Sequence, residues 1–469
     1  MSVTAGTPRR HAALLSALRH ACATSLAVLA TLATSLRFAP GAATAVLGAV
    51  LCLSLARSQL NRDWRGRVEA AWTLPLLGLI ATGEVALLHF LPWFGALVFT
   101  AGVAGSIWLR RFGPAARRAG SLIAVPMIAI LTTPYAPPNP ALRIPPVLVP
   151  MLTGLVALLW VSVALGLFRA CGWLPPPEPE PSAGPGRESA LRPVPSTRMA
   201  LQMAVALAVA FALGFFCFGE HWAWPVLTAF IVNSGSRGRL DVFHKSLMRL
   251  VGALAGTLAA ALVPTHLFAQ DWAIVSAMLA VLFVGLWLRP INYAWWALCV
   301  TLVLALLQDY LGEPSESALV LRLTGIGAGA VIGIAAAWFV YPIRPDGTLR
   351  RCMSDALAAL SLALDPAQPR RDAAAFVRGL AAVEELAPPL RIGRVLLRAL
   401  RRDFAPARWL EELLACRADA LRLIERGATP PETRRAVGAA RKALQDPAAL
   451  ATALQQLRLA LRTAASAAD

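Results

Sequence analysis

Twelve apolar runs, each closed by a short polar or proline-bearing break, govern what this chain can become. They fall at Ala21–Leu36, Ala42–Ala56, Ala70–Leu91, Trp93–Leu109, Ala119–Pro134, Ile144–Phe168, Met199–Gly219, Trp222–Asn233, Leu250–Pro264, Trp272–Leu288, Ile291–Gln308 and Ser317–Tyr341. A helix crossing a bilayer upright needs about 20 apolar residues. Several runs are shorter, so either their polar flanks join the helix or they are broken helices held inside a bundle.

The charges give this pattern a direction. With the N-terminus inside, 20 basic residues before the C-terminal tail fall in the inner segments, from Arg9 and Arg10 to Arg289. The opposite side holds only Arg37 and Arg143, and Arg322 lies within the last run. Such one-sidedness is the positive-inside signature, and it supports both the number of crossings and the orientation. The basic start followed by Ala21–Leu36 also has the outline of a secretory signal. A retained first crossing is the reading adopted, with both termini in the cytoplasm.

Composition agrees and narrows the function. Only 15% of the 469 residues are charged, and mean hydropathy is +0.61. A formal charge of +18 could suggest nucleic acid, but the long uncharged stretches tell against it, so no nucleic-acid partner is expected. The seven cysteines make no CxxC pair, and the six histidines no HExxH. Walker A and GxSxG patterns are missing as well. The chain is therefore read as an all-α polytopic membrane protein, not an enzyme, with no cofactor and no metal.

Its organisation follows from composition shifts. Residues 1–168 form a first six-helix half. Residues 169–198 are a cytoplasmic linker, rich in proline from Pro175 to Pro181 and so extended and semi-rigid. Residues 199–342 form a second six-helix half. Six is even, so the halves would share one orientation, as in parallel-repeat transporters. A shift of 178 positions pairs His20 with Arg198, Gly78 with Gly256 and Arg111 with Arg289. Residues 343–469 hold 21 basic and 14 acidic residues in helical patterns, read as a cytoplasmic domain of four to six helices. Segments 348–364, 371–387, 432–445 and 447–464 fit. So does one helix from Pro406 to Arg426, striped by Leu410, Leu413, Leu414, Leu421 and Ile424 and stopped by Gly427.

One stretch invites chemistry. Trp222-Ala-Trp224-Pro-Val-Leu-Thr228-Ala-Phe-Ile-Val-Asn233 is a short run that meets Asn-Ser-Gly, where a helix can unwind. A helix broken at depth exposes backbone dipoles, as transporters use. The plainer reading is an interfacial tryptophan pair on a short span. Glu84 is the acid placed within an apolar run, and burial would raise its pKa, as suits a proton-coupling group. Snorkelling to the outer end is the alternative. His89 lies nearer the surface, and Asp309 stands at a run's end.

The pattern W-x-x-L-T-A-x-x-V, a basic loop, then R-x-x-G-x-x-x-G-T starting at Arg249 resembles the fusaric acid resistance (FUSC-like) family. Arg322-Leu-Thr-Gly325 running to Tyr341-Pro342 is similar to that family's second signature. The likeness covers about Arg198–Pro342; residues Thr44–Cys52 of the first half lack the tryptophan motif. It implies a bacterial inner-membrane exporter of small aromatic or other organic acids, driven by protons. A distant likeness to plant anion channels leaves a channel as the alternative, and a tail that docks a partner as another. Substrate contacts would fall on Trp222, Trp224, Thr228, Asn233, Arg249 and Arg322, with Glu84 coupling protons. Arg249, at the inner end of its run, could attract a carboxylate or simply mark topology. Arg322 could hold an anion or snorkel toward Glu313 or Glu316. Gly252 with Gly256, and Gly325, Gly329 and Gly333, are read as helix-packing positions. The partners this implies are small organic anions, the bilayer with anionic lipid at the cytoplasmic face, a second copy of the chain, and a periplasmic adaptor.

Overall fold

The computed structural model describes residues 7–57, 64–113, 144–175, 195–236, 238–262, 271–310, 316–342, 345–367, 373–399, 405–427 and 430–467, with a few single residues between 116 and 131. Nearly all of them are helical, and no strand occurs among them. The chain divides into two compact units, one of residues 1–234 and 245–341, the other of residues 235–244 and 342–469.

The first unit contains α1 (Thr7–Phe38), α2 (Ala42–Leu55), α3 (Trp64–Phe90), α4 (Pro92–Trp108), α5 (Leu148–Ala170), α6 (Pro195–Leu213), α7 (Ala223–Asn233), most of α8 (Arg239–Leu262), α9 (Asp271–Leu288), α10 (Tyr293–Tyr310) and α11 (Glu316–Phe339). Among the described residues eight helices are long and apolar enough to cross a membrane. They include α1, α3, α4, α5, α6, α8, α10 and α11. The helices α2, α7 and α9 are apolar but shorter. The 11 residues of α7 rise about 16 Å, roughly half of a 30 Å hydrocarbon core. Thus the twelve runs are not twelve equal crossings. The run Ala119–Pro134 falls almost wholly outside the described residues, as does most of the linker.

Breaks fall where the backbone needs them. Pro40 and Gly41 (φ 145°) part α1 from α2, and Pro92 opens α4 at a position where its missing N–H has no helical partner. Large apolar side chains stay exposed along the unit's outer surface, among them Trp72, Leu97, Leu159, Leu258 and Val331. Apolar exposure on this scale fits a lipid solvent, since helices satisfy their own backbone groups.

Packing within the unit is reciprocal. The triplet α1, α2 and α5 is mutually packed, and so is the triplet α6, α7 and α11. Across the sequence, α4 packs on α6 while α9 packs on α1. The first helix of each half thus meets the fourth run of the other. Trp287 on α9 donates its indole N–H to the Leu14 carbonyl of α1 at 3.2 Å.

The second unit holds seven described helices: α12 (Pro345–Ala363), α13 (Ala373–Glu384), α14 (Ala387–Ala399), α15 (Ala405–Ala415), α16 (Arg417–Arg426), α17 (Pro431–Ala443) and α18 (Pro447–Ala467). Its core includes Leu349, Met353, Leu357, Phe376, Leu413, Leu423, Leu454 and Leu461, with Leu240 from residues 235–244. Seven exceeds the expected four to six. The expected helix from Pro406 to Arg426 is two helices, because the backbone tightens at Cys416, whose N–H bonds the Leu413 carbonyl at 3.2 Å. One tightened turn leaves the leucine stripe almost in phase, so periodicity hides the break. Segment 371–387 ends at Glu384, and Pro388-Pro389 occupy the first turn of the separate α14, where proline is tolerated. Gly427 closes α16 in the left-handed conformation (φ 70°), as the stop signal indicates.

Candidate functional site

The short helix α7 is framed by two backbone irregularities. Upstream, α6 widens into a π turn at Gly214–Phe218 and a 3-10 turn at Gly219–His221, with Gly219 at φ 54°. Downstream, Asn233 ends α7, Ser234 is extended and Gly235 has φ 63°. The helix ends at Asn-Ser-Gly, as both the broken-helix and the short-span readings allow. Pro225 sits in the first turn of α7, where its missing donor costs no helical bond.

Close approach to α11 places α7. The two run parallel: Gly325 faces Trp224 and Pro225, Gly329 faces Pro225, Thr228 and Ala229, and Gly333 faces Val232 and Asn233. A Cβ on Gly329 would collide with the Pro225 carbonyl oxygen, and one on Gly333 would lie 2.5 Å from a Val232 methyl. Likewise a Cβ on Gly256 would stand 2.6 Å from the Leu298 carbonyl oxygen on α10. These glycines are packing residues.

The individual α7 side chains divide in role. Trp222 stacks on Phe211 with centroids 5.5 Å apart and also meets Phe215, so it belongs to an aromatic cluster. Trp224 lies against His221 at 4.4 Å and borders Gly325. Asn233 gives its amide to the Ala229 carbonyl of its own helix at 2.9 Å. Thr228 is fully buried, and its hydroxyl has no hydrogen-bond partner among the described residues.

Arg249 is not at the inner end of its helix. Residues 239–249 extend α8 by an amphipathic stretch, whose charges the apolar-run reading assigned to a loop. Arg249 therefore lies near the middle of a 24-residue helix. The packing agrees, because Leu250 touches Gly327, close to the centre of the apolar stretch Val320–Phe339. Arg322 shares a face of α11 with Gly325, Gly329 and Gly333, at helical spacing.

Both arginines are only 6% exposed. Burial of Arg322 argues against a side chain carried out to the surface; Glu313 and the Glu316 side chain lie outside the described residues. The two guanidiniums are near enough for Arg249 to repel Arg322. Among the described residues no carboxylate pairs with either, and Arg249 Nε has no hydrogen-bond acceptor. One turn before Arg249, the buried Ser246 hydroxyl is also unpartnered. Breaking a buried ion pair by removing one partner costs about 3–5 kcal/mol, the scale on which a buried charge without compensation is unfavourable. Ser246 escaped the sequence reading, although its spacing of three from Arg249 on one helix was available.

Glu84 stands elsewhere. The helices α3 and α4 form a tight antiparallel hairpin, in which a Cβ on Gly95 would lie 2.7 Å from the Leu88 backbone nitrogen. Carrying that register one turn further sets Glu84 opposite Phe99, which packs edge-on against Phe211 of α6 at 5.4 Å. Glu84 is 2% exposed and its Oε1 is unpartnered, so it does not snorkel. No described contact joins it to Arg249 or Arg322. The first-half triplet buries neutral groups, Thr31, Ser35, Cys52 and Thr153, with Cys52 Sγ 3.1 Å from Thr31 Oγ1. No group of three His, Cys, Asp or Glu among the described residues could hold a metal ion.

An all-helical architecture with this many bilayer-length apolar helices is that of a multi-pass membrane protein. Residues 203–336 match the family described as fusaric acid resistance protein-like. The matched region runs from α6 through most of α11 and contains Trp222, Trp224, Thr228, Asn233, Arg249 and Arg322. Searches among curated proteins and among solved structures return no match.

Proposed function

We propose that this protein is an inner-membrane exporter of small aromatic or other organic acids, driven by proton entry. The buried pair Arg249 and Arg322, with no carboxylate paired to either among the described residues, carries the reading. A carboxylate has two acceptor oxygens, and each guanidinium is a planar set of donors. One organic acid anion thus relieves the repulsion and accepts from Arg249 Nε, which has no acceptor among the described residues. Thr228 and Ser246 supply further hydroxyls, and Trp224, next to Gly325 and so one turn from Arg322, supplies an aromatic wall. The family likeness over residues 203–336 supports the same class of cargo.

In this reading Glu84 loads and releases the proton. Glu84 is buried with one carboxyl oxygen unpartnered among the described residues, and a change in its surroundings during transport would let it exchange the proton. The separation of Glu84 from the arginines in the described contacts favours one rival, an anion channel that needs only the arginine pair. Proteoliposomes loaded with benzoate distinguish the two. Export predicts accumulation against a gradient that a protonophore abolishes; downhill flux indifferent to protonophore establishes the channel.

A further inference from the structure

A second cluster of unmatched cations lies where α2 ends and where α9 turns into α10. Arg57 follows the last turn of α2, and Arg289 follows the last residue of α9. Both guanidiniums sit over the same indole, that of Trp296 on α10, each 5.1 Å from its ring centroid. Two carbons that close to one point are at most twice that distance apart. The two halves of the membrane unit thus bring like charges together on one residue.

Cation–π attraction explains the seat on Trp296. It leaves two polar atoms unexplained. Arg289 Nη1 is buried and has no hydrogen-bond partner among the described residues, and the same holds for the Tyr293 hydroxyl. Tyr293 lies one turn after Arg289 and within its electrostatic reach. The turn that carries them is stiff: Arg289 N–H bonds the Gly285 carbonyl at 3.0 Å, and Asn292 Oδ1 accepts from the Ala294 N–H at 3.0 Å.

We infer that Arg57, Arg289 and Tyr293 form a second oxyanion site, separate from Arg249 and Arg322, which takes a phosphate or carboxylate group at the helix ends beside Trp296. A guanidinium and a phenol both donate, so one oxyanion oxygen can accept from each. The same anion offsets the charge that Arg57 adds. Apolar helices end at headgroup depth, which makes an anionic phospholipid one source of that group and a dissolved anion the other.

The test uses the full-length protein in nanodiscs, with unfolding temperature as the readout, because a ligand of the native state raises it. Inorganic phosphate is titrated into phosphatidylcholine discs, and in a second arm phosphatidylglycerol replaces part of the lipid. The wild type and Arg249→Gln should both be stabilised. Apparent affinity should fall about tenfold in Arg289→Gln, equivalent to one lost charge-assisted bond, and severalfold in Tyr293→Phe and Arg57→Gln. Should Arg289→Gln not fold, the exposed Arg57 and the isosteric phenylalanine carry the test. Stabilisation by the lipid alone makes the ligand a headgroup; stabilisation by phosphate in neutral discs makes it a free oxyanion. No stabilisation in either arm, or the same stabilisation in all variants, overturns the site.

Discussion

Among the described residues no carboxylate pairs with the buried Arg249 and Arg322, so in the proposed reading a bound anion is what offsets their charge. That sets a signature opposite to an ordinary structural salt bridge. Arg322→Gln, or Arg249→Gln, should leave the anion-free protein as stable as the wild type or more so. The same change should weaken an organic acid by about tenfold or more, since a charge-assisted bond contributes about 1.5–3 kcal/mol. Thermal unfolding with and without benzoate checks both halves of the statement. Glu84→Gln should fold normally and lose proton-coupled flux; unchanged coupling would remove Glu84 from the mechanism. At this scale the sequence was informative wherever a charge interrupts an apolar run, which is how Arg322 and Glu84 stand out. It was uninformative for Ser246 and Thr228, because a buried hydroxyl carries no mark in composition. Trp222 and Asn233 were legible as unusual, but their side chains are engaged in aromatic stacking and in a bond to the Ala229 carbonyl.

Elements meet at the arginine site because glycines let them. Gly329→Ala should lower the unfolding temperature by an amount matching about 1–3 kcal/mol, as overpacking does, for its Cβ would strike the Pro225 carbonyl. Gly105→Ala, with open space around it, should be near neutral. Equal effects would mean that the α7–α11 contact is not tight. Apolar runs identified where helices lie, since a bilayer demands them, yet they misplaced the start of α8. Residues 239–249 are polar on one side and were counted as loop, which moved Arg249 from the middle of its helix to its end. In the second unit the same logic failed differently: the turn at Cys416 preserves the leucine stripe. That turn buries the Cys416 thiol, and burial pushes its pKa up to about 12 from 9.0. The neutral thiol is the form the fold accepts, so its contribution is complete below pH 9 and is lost as pH rises toward 12. Native protein at pH 8 should resist iodoacetamide at Cys416 and react there once unfolded; ready alkylation of the folded protein would contradict this burial.

For the whole molecule, the pattern that mattered first was one-sided charge in an apolar chain. It called for many crossings, and the eight bilayer-length helices among the described residues follow from it. The reciprocal packing of α1 on α9 and of α4 on α6 could not be read from Ala- and Leu-rich sequence, where identities are cheap. The helices α1, α2 and α5 of the first half bury the neutral groups Thr31, Ser35, Cys52 and Thr153, whereas α8 and α11 of the second half bury Arg249 and Arg322. Orientation is testable separately: reporters fused within 176–194 and at the C-terminus should both report the cytoplasm, and an outward signal from either would reverse the topology.

The central claim is that the arginine pair recognises a carboxylate. Equilibrium binding of benzoate and of its neutral isostere benzamide to the purified protein tests it most directly. The account predicts saturable benzoate binding that weakens about tenfold or more in Arg249→Gln and in Arg322→Gln, with benzamide bound far more weakly throughout. Equal binding of the two compounds, or benzoate binding unchanged in both variants, would contradict it.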